Sequence, residues 1–334
     1  MKRSHLLVLM ALAFASPVKA SAAETTLTVY SSRHYPVDKE LNKRFTAATG
    51  IKIEVLEGKG DELNARLEAE GDKTPADVLL SNDAAAVERA RPYLGALPDS
   101  VLASVAPGYK AEDKTWVAVS SRARAIVYRA DAPLPAFVKN YEDLASPALK
   151  GMLCSRASDS PYNRSLLASI LAANGAEKTL AWVKGYVANF ARDPQGNDKA
   201  QIRDVVEGRC KAALVNTYYL AQMRARPDGT DVSTIKVLFP NQGNRGTHVN
   251  ISGAAEVKAS AHKKAAEQFV AFLLSAEAQT LVANENFEYA VRSDVKLPEA
   301  LKDLVGFKAD TAALPALGAL IQEALKIADE GGWK

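Results

Sequence analysis

Along most of this chain, short runs rich in β-branched and apolar residues alternate with longer stretches whose apolar positions recur at helical spacing. Candidate strands are TLTVYS (26–31), IKIEVL (51–56), DVLLS (77–81), WVAVS (116–120), AIVYR (125–129), MLCSR (152–156), AALVN (212–216), IKVLF (235–239) and HVNISGAAEV (248–257). Between them lie helical stretches such as PVDKELNKRFTAAT, PYNRSLLASILAAN, AEKTLAWVKGYVANFA and KAQIRDVVEG. A later one, AHKKAAEQFVAFLLSAEAQTLVAN, is predicted to break near Ser275. The alternation predicts an α/β fold. No repeat, low-complexity tract or Gly/Ser linker separates two domains. The chain is therefore expected to form lobes that share it, with crossovers near residues 120–130 and 240–250.

The first residues alter this picture. MKRSHLLVLMALAFASPVKASAAE has a basic start at Lys2 and Arg3, an apolar stretch from Leu6 to Ala15, and small residues at Ala20 and Ala22. That is a secretory leader over residues 1–22, with cleavage expected near Ala22. The apolar stretch is short for a membrane span, and no cysteine stands near the cleavage point for lipid attachment. An exported, periplasmic chain of about 310 residues remains, ample for two lobes. Loss of Lys2, Arg3 and Lys19 from the 42 basic residues leaves a balance with the 39 acidic ones. Neither a nucleic-acid footprint nor a polybasic membrane patch is expected. The two cysteines, Cys154 and Cys210, are expected to be bridged in an oxidising compartment. Their number and spacing argue against a zinc site.

Four of the eleven tyrosines share one situation. Tyr35 follows strand 26–31, Tyr162 follows 152–156, and the adjacent Tyr218 and Tyr219 follow 212–216. Open α/β sheets bind ligands just beyond the carboxyl ends of their strands. The same places read as helix starts. Pro36 and Pro161 suit a first helical turn, Ser160 or Asp159 is available to cap the second helix, and Thr217 to cap a third. A helix N-terminus favours negative oxygen, whether an ionised phenol or a bound anion. The acidic Asp159 and Asp198 are read as helix caps rather than ligands.

A free phenol holds its proton to about pH 10, but a highly charged metal ion displaces it. Phenolate is a hard anionic donor suited to a hard trivalent ion, and iron(III) is the abundant one. Three phenolates cancel the charge of such an ion and four leave one negative charge over. Arg33, Arg122, Arg124 and Arg192 are candidates to balance it. His34, adjacent to Tyr35, is a candidate nitrogen ligand or an outer partner. Taken one by one, a tyrosine pair is more often packing and a lone histidine more often a surface group; the convergence raises the metal reading.

Several longer motifs carry a resemblance. LTVYSSRHYPVD (27–38), SSRARAIVY (120–128), YNRSLLASILAANG (162–175), VANFARDPQGND (187–198) and AALVNTYYLAQM (212–223) closely resemble the periplasmic ferric-iron-binding proteins of ABC transporters, over roughly residues 25–330. The resemblance implies a two-lobed, class II-like periplasmic-binding-protein fold with a hinged cleft. Residues 23–122 and 248–295 would form the N-terminal lobe, and 123–247 and 296–334 the C-terminal lobe. It implies Fe(III) as cargo, delivered to an inner-membrane permease driven by a cytoplasmic ATPase, by a protein working as a monomer. The family's ligands fall on Tyr35, Tyr162, Tyr218 and Tyr219, with His34 a ligand in some members and a bystander in others. Other branches use a synergistic anion; this chain carries the tyrosine set of the branch that does not. Arg122 is the arginine expected near the metal. Tyr35 would come from one lobe and the other three from the second, so that metal binding bridges the cleft.

Two rival readings remain at this stage. One is a binding protein of the same fold for a small anion, a polyamine or Fe(II). The other is an exported enzyme, for which the chain offers no G-x-S-x-G, H-E-x-x-H or P-loop motif. The glycine-bearing stretches EGKGDE and NQGNRG read as turns. Four histidines, one of them in the leader, leave little acid/base capacity.

Overall fold

The computed structural model describes residues 25–334; the leader and its cleavage point lie outside the described residues. The strands are β1 (Thr26–Ser31), β2 (Lys52–Glu57), β3 (Val78–Ser81), β4 (Val117–Arg129), β5 (Leu153–Cys154), β6 (Ala212–Asn216), β7 (Ile235–Leu238), β8 (Thr247–Glu256) and β9 (Ala309–Asp310). The α-helices are α1 (Pro36–Thr49), α2 (Gly60–Glu70), α3 (Ala84–Ala90), α4 (Asp99–Leu102), α5 (Pro161–Asn174), α6 (Ala176–Ala188), α7 (Asp198–Val206), α8 (Thr217–Ala225), α9 (Lys263–Leu273), α10 (Ala276–Glu285) and α11 (Leu317–Glu330).

Local chemistry explains the clearest of these. α1 opens on Pro36, whose missing N–H costs nothing in the first turn. It ends at Gly50, which takes the left-handed conformation at φ 74° and returns its N–H to the Thr46 carbonyl. Its buried residues, Val37, Leu41 and Phe45, recur every four positions. The break near Ser275 is a cap: the Ser275 hydroxyl accepts from the Ala278 N–H at 3.2 Å and starts α10.

The strands form one sheet path in the order β2-β1-β3-β8-β4-β6-β5, with β7 added on β4 and β9 on β8. β1 runs parallel to β2 and β3, and β5 runs parallel to β6. β4 and β8 join these two groups. The first part of β4, through Ala123, pairs antiparallel with β8. From Arg124 onward it pairs with β6, and from Ile126 also with β7. β8 in turn pairs with β3 through Gly253–Glu256.

The sequence pattern predicts two strands, 116–120 and 125–129, where the structure has one of 13 residues. The polar run between them, with Arg122 and Arg124, reads as a break. Both arginines are nevertheless buried, at 1% and 2% exposure, because carboxylates far away in the chain neutralise them. Pattern reading assigns charges to the surface, and paired charges escape that rule.

One apolar core lies around β1, β3 and β8, and continues through α11 to α5 and α6. A second lies against β4 and β6 with α7 and α8. The alternation of β6 divides between them, with Ala212 and Leu214 in the first and Ala213 and Val215 in the second. Cys154 and Cys210 form the expected disulfide with a Cα–Cα distance of 5.8 Å. It ties the end of β5 to the turn before β6.

Candidate metal centre

The four singled-out tyrosines stand at the starts of three helices. Tyr35 is the N-cap of α1, with extended backbone (φ −85°, ψ 139°). Tyr162 is the second residue of α5, after Pro161. Tyr218 and Tyr219 are the second and third residues of α8, which follows β6 without a loop. Caps differ from the sequence expectation. Ser160 precedes α5 but makes no side-chain cap, and Thr217 is the first helical residue rather than the cap. The Thr217 hydroxyl accepts instead from the Ala123 N–H at 3.4 Å, fastening the start of α8 to β4. The positive ends of α1, α5 and α8 therefore flank the phenols.

The phenols come together. Tyr218 Oη donates to Tyr162 Oη at 3.0 Å. The Tyr218 and Tyr219 rings lie 4.2 Å apart between centroids, and Tyr162 and Tyr219 6.4 Å apart. Tyr35 Oη is buried and has no hydrogen-bond partner, an arrangement that costs free energy unless something else meets that oxygen. Burial pushes the Tyr35 phenol well above its ordinary value; the Glu288 carboxylate and Tyr162 add to this, against Arg122 and Arg33. Burial also raises Tyr218, with Tyr35, Tyr162 and Tyr219 adding to it and Arg122 opposing. Tyr219 is raised by burial, then by Tyr162 and Asp198. Each phenol thus opposes ionisation of its neighbours. Tyr35, Tyr218 and Tyr219 stay protonated near neutral pH, and a cation among the phenols would reverse that balance.

Arginines surround the cluster. Arg122, on β4, faces Tyr35, Glu288, Tyr218 and Tyr162. It donates to the Asn82 carbonyl and, at 3.4 Å, to Ser252 Oγ. Arg33 lies over the Tyr35 ring at 5.0 Å and is anchored on Asp38 at 2.7 Å. Arg124 and Arg156 lie over the Tyr162 ring at 5.9 and 5.0 Å. Arg192 is elsewhere, paired with Asp204 and Gln201. Asp198 is not a helix cap, since Asn197 caps α7 by accepting from Ala200 N–H. Asp198 is fully buried and accepts from Arg124 at 2.6 Å, Arg156 at 3.0 Å and the Asn216 N–H at 2.7 Å. It thereby locks the arginines that pack on Tyr162 to the end of β6. Asp159 is exposed, at the edge of the cleft.

His34 has a different environment. Its imidazole is exposed, 5.4 Å from the Tyr35 ring, with Nδ1 3.4 Å from the Ser32 carbonyl. Sequence reasoning missed Glu288, Arg156 and Asn163. Asn163 accepts from Arg124 at 2.8 Å and donates to the carbonyls of Arg156 and Ala157. Its neighbour Tyr162 was a signal for it. Glu288, between Phe287 and Tyr289, had none beyond a charge in an apolar context.

Residues 25–280 match the bacterial extracellular solute-binding proteins. The chain belongs to this family. It is 43% identical over 314 residues to iron uptake protein A1 of Synechocystis, covering 92% of this chain and 87% of that one. It is 31% identical over 317 residues to the Fe(3+)-binding periplasmic protein of Serratia marcescens, covering 91% and 90%. Among solved structures, Trichodesmium IdiA (FutA) in complex with iron and citrate ligands superposes with a TM-score of 0.85 at 39% identity, covering 92% of this chain and all of that one. The two-lobed α/β fold expected from the sequence is the fold of this solute-binding protein.

In this solute-binding protein a cleft of about 790 Å³ is lined by Ser32, His34, Lys59, Asp61, Asn82, Pro161 and Arg164 among others; it reaches the chain neighbours of Tyr35 and Tyr162, while the four phenols themselves lie outside its lining. An ion pair joins its sides. Asp61 on α2 meets Arg164 of α5 at 3.5 Å and also Arg89. Beyond α8, Arg226 meets Glu285 of α10 at 2.7 Å. No described helix is long and apolar enough to cross a membrane.

At the start of β8, His248 is buried with both ring nitrogens unpartnered. Burial lowers its pKa from 6.5 to about 3, with Arg245, Arg124 and Arg122 adding to the shift. The unfolded chain takes up this proton and the folded one does not. The contribution is therefore complete above the unfolded pKa of about 6.5 and is lost as pH falls toward 3. Between pH 7 and 5 this residue is expected to cost about 2 kcal/mol of stability. Urea unfolding of wild type and His248→Asn at both pH values checks this; the variant should lose less.

Proposed function

We infer that this chain is a periplasmic carrier that captures ferric ion in the cleft through the phenolates of Tyr35, Tyr162, Tyr218 and Tyr219. It then delivers the ion to an inner-membrane ABC permease with its cytoplasmic ATPase, working as a monomer and not as a catalyst. The observation that carries this reading is the meeting of buried phenols from three helix starts, one of them, Tyr35, with no hydrogen-bond partner. Neutral phenols have no reason to be gathered this way in a core. A hard trivalent cation supplies one, since it stabilises the ionised form of every ligand at once. The relatives whose names specify iron uptake and Fe(3+) binding support the same cargo.

In this reading residues 23–122 and 248–295 form one lobe, 123–247 and 296–334 the other, and β4 and β8 are the hinge. Tyr35 follows β1 and belongs to the first lobe; the other three follow β5 and β6 in the second. Ion binding then favours the closed arrangement by differential affinity. His34 is held beside Tyr35 at the rim, and Arg122 balances negative charge from outside the ligand set. The shell of Arg33, Arg122, Arg124 and Arg156 disfavours a polyamine.

The test is metal analysis with a visible spectrum. Protein purified from the periplasm, or loaded with a stoichiometric ferric salt, should show a broad visible phenolate-to-iron band that a chelator removes. Protein that takes up no ferric ion and stays colourless would leave the small-anion reading in its place.

A further inference from the structure

The loop between α10 and the region of β9 contains an acidic residue that the proposed ligand set does not use. Glu288 is fully buried. Its Oε2 accepts from Ser120 Oγ at 2.8 Å and from Asn286 Nδ2 at 2.9 Å. Its Oε1 has no hydrogen-bond partner and lies 3.7 Å from Arg122 Nη1, while Arg33 Nη1 stands 3.9 Å from Oε2. Arg33 is already neutralised by Asp38 at 2.7 Å, so Arg122 is the charge that Glu288 chiefly offsets. The preceding Phe287 has φ 60°. A bulky side chain rarely adopts that left-handed conformation, and such strain persists where surrounding structure holds a residue in a particular place. Here the residue held is Glu288.

The geometry points to Glu288 as a specificity-determining residue, one that biases the tyrosine site toward trivalent over divalent iron by holding a fixed negative charge against Arg122 and beside Tyr35. The inference rests on the tyrosine reading of the site. Four phenolates around Fe(III) leave a net charge of one negative unit; the same four around Fe(II) leave two. A fixed anion nearby therefore opposes the divalent complex twice as strongly as the trivalent one, and Arg122 acts in the opposite sense. Low effective dielectric at buried positions makes such a difference large enough to measure. Arg33, 3.9 Å from Glu288, lies over the Tyr35 ring at 5.0 Å, which places the carboxylate one side chain away from that phenol.

The experiment is spectroelectrochemical titration of the iron-loaded protein, following loss of the phenolate band as Fe(III) takes up one electron. E288Q keeps the shape and, with its amide oxygen in the Oε2 position, can still accept from Ser120 and Asn286, but removes the charge. It is expected to shift preference toward Fe(II) on the order of tenfold, which for one electron is a potential about 59 mV more positive. R122Q should shift it the opposite way, and it serves as the measurable variant if E288Q fails to fold. Glu288→Asp should return the potential toward wild type. A role in folding alone would lower the melting temperature and leave both potentials unmoved, and that outcome overturns the inference, as would shifts of the same sign in both variants. Wild-type protein with no visible ferric band would instead overturn the tyrosine site itself.

Discussion

Replacing Tyr218 and Tyr219 together by Phe is expected to lower ferric affinity by at least about ten-thousand-fold and to abolish most of the visible band. Loss of an outer partner of a metal ligand already costs roughly 10–100-fold, and here two of the proposed phenolate ligands are deleted at once. The rings remain, so the 4.2 Å contact between them and the burial of Tyr218 at 2% exposure are kept. The substitution removes the hydrogen bond from Tyr218 to Tyr162, worth about 1 kcal/mol, and the weaker polar contacts of the Tyr219 hydroxyl with the same two phenols. The variant should fold, which separates the site from the scaffold. Competition against a chelator of known affinity, beside a thermal melt, measures both. Unchanged affinity in a folded double variant would remove Tyr218 and Tyr219 from the ligand set.

The second large effect concerns protons. Tyr35, Tyr218 and Tyr219 are pushed above the ordinary phenol range by burial first and by one another second. At neutral pH they enter the binding reaction protonated. Every phenolate that coordinates must release a proton, so acid competes with the metal and alkali assists it. Capture by four phenols should release up to four protons, and one pH unit of acidification should weaken binding by as much as ~10,000-fold. A site built from carboxylates, already ionised between pH 6 and 7, would release almost none. Proton release on addition of ferric complex in weak buffer, with affinity measured at pH 7 and pH 6, distinguishes the two. A slope near zero would exclude the phenols as ligands whatever the spectrum showed.

Much of the secondary structure was legible because punctuation residues mark it. α1 and α5 have the predicted limits to the residue, each opening on a proline and followed by a glycine. β1 and β6 likewise match their predicted spans. α11 was not read, although Leu317, Ile321, Ala324 and Ile327 carry its buried face; no strong cap announces it. β4 was divided in two because Arg122 and Arg124 interrupt its apolar pattern. Their partners, Glu288 and Asp198, lie 166 and 74 residues further on, beyond any local window. Asp198 was misread for the same reason: its place at a helix start suggested capping, while its function in the fold is to hold two arginines.

The sequence by itself determined the α/β class, the limits of the principal helices, the cysteine pair, and the four tyrosines worth watching. These follow from periodicity, backbone chemistry and position after strands, all of which are local. Only the tertiary structure decided which oxygens meet, that Tyr35 is buried without a partner while its neighbour His34 faces solvent, and that Glu288 stands behind Arg122. Those outcomes depend on burial and on Coulombic pairing between distant segments. Both are set by how the halves of the sheet join through β4 and β8, and neither leaves a periodic trace along the chain.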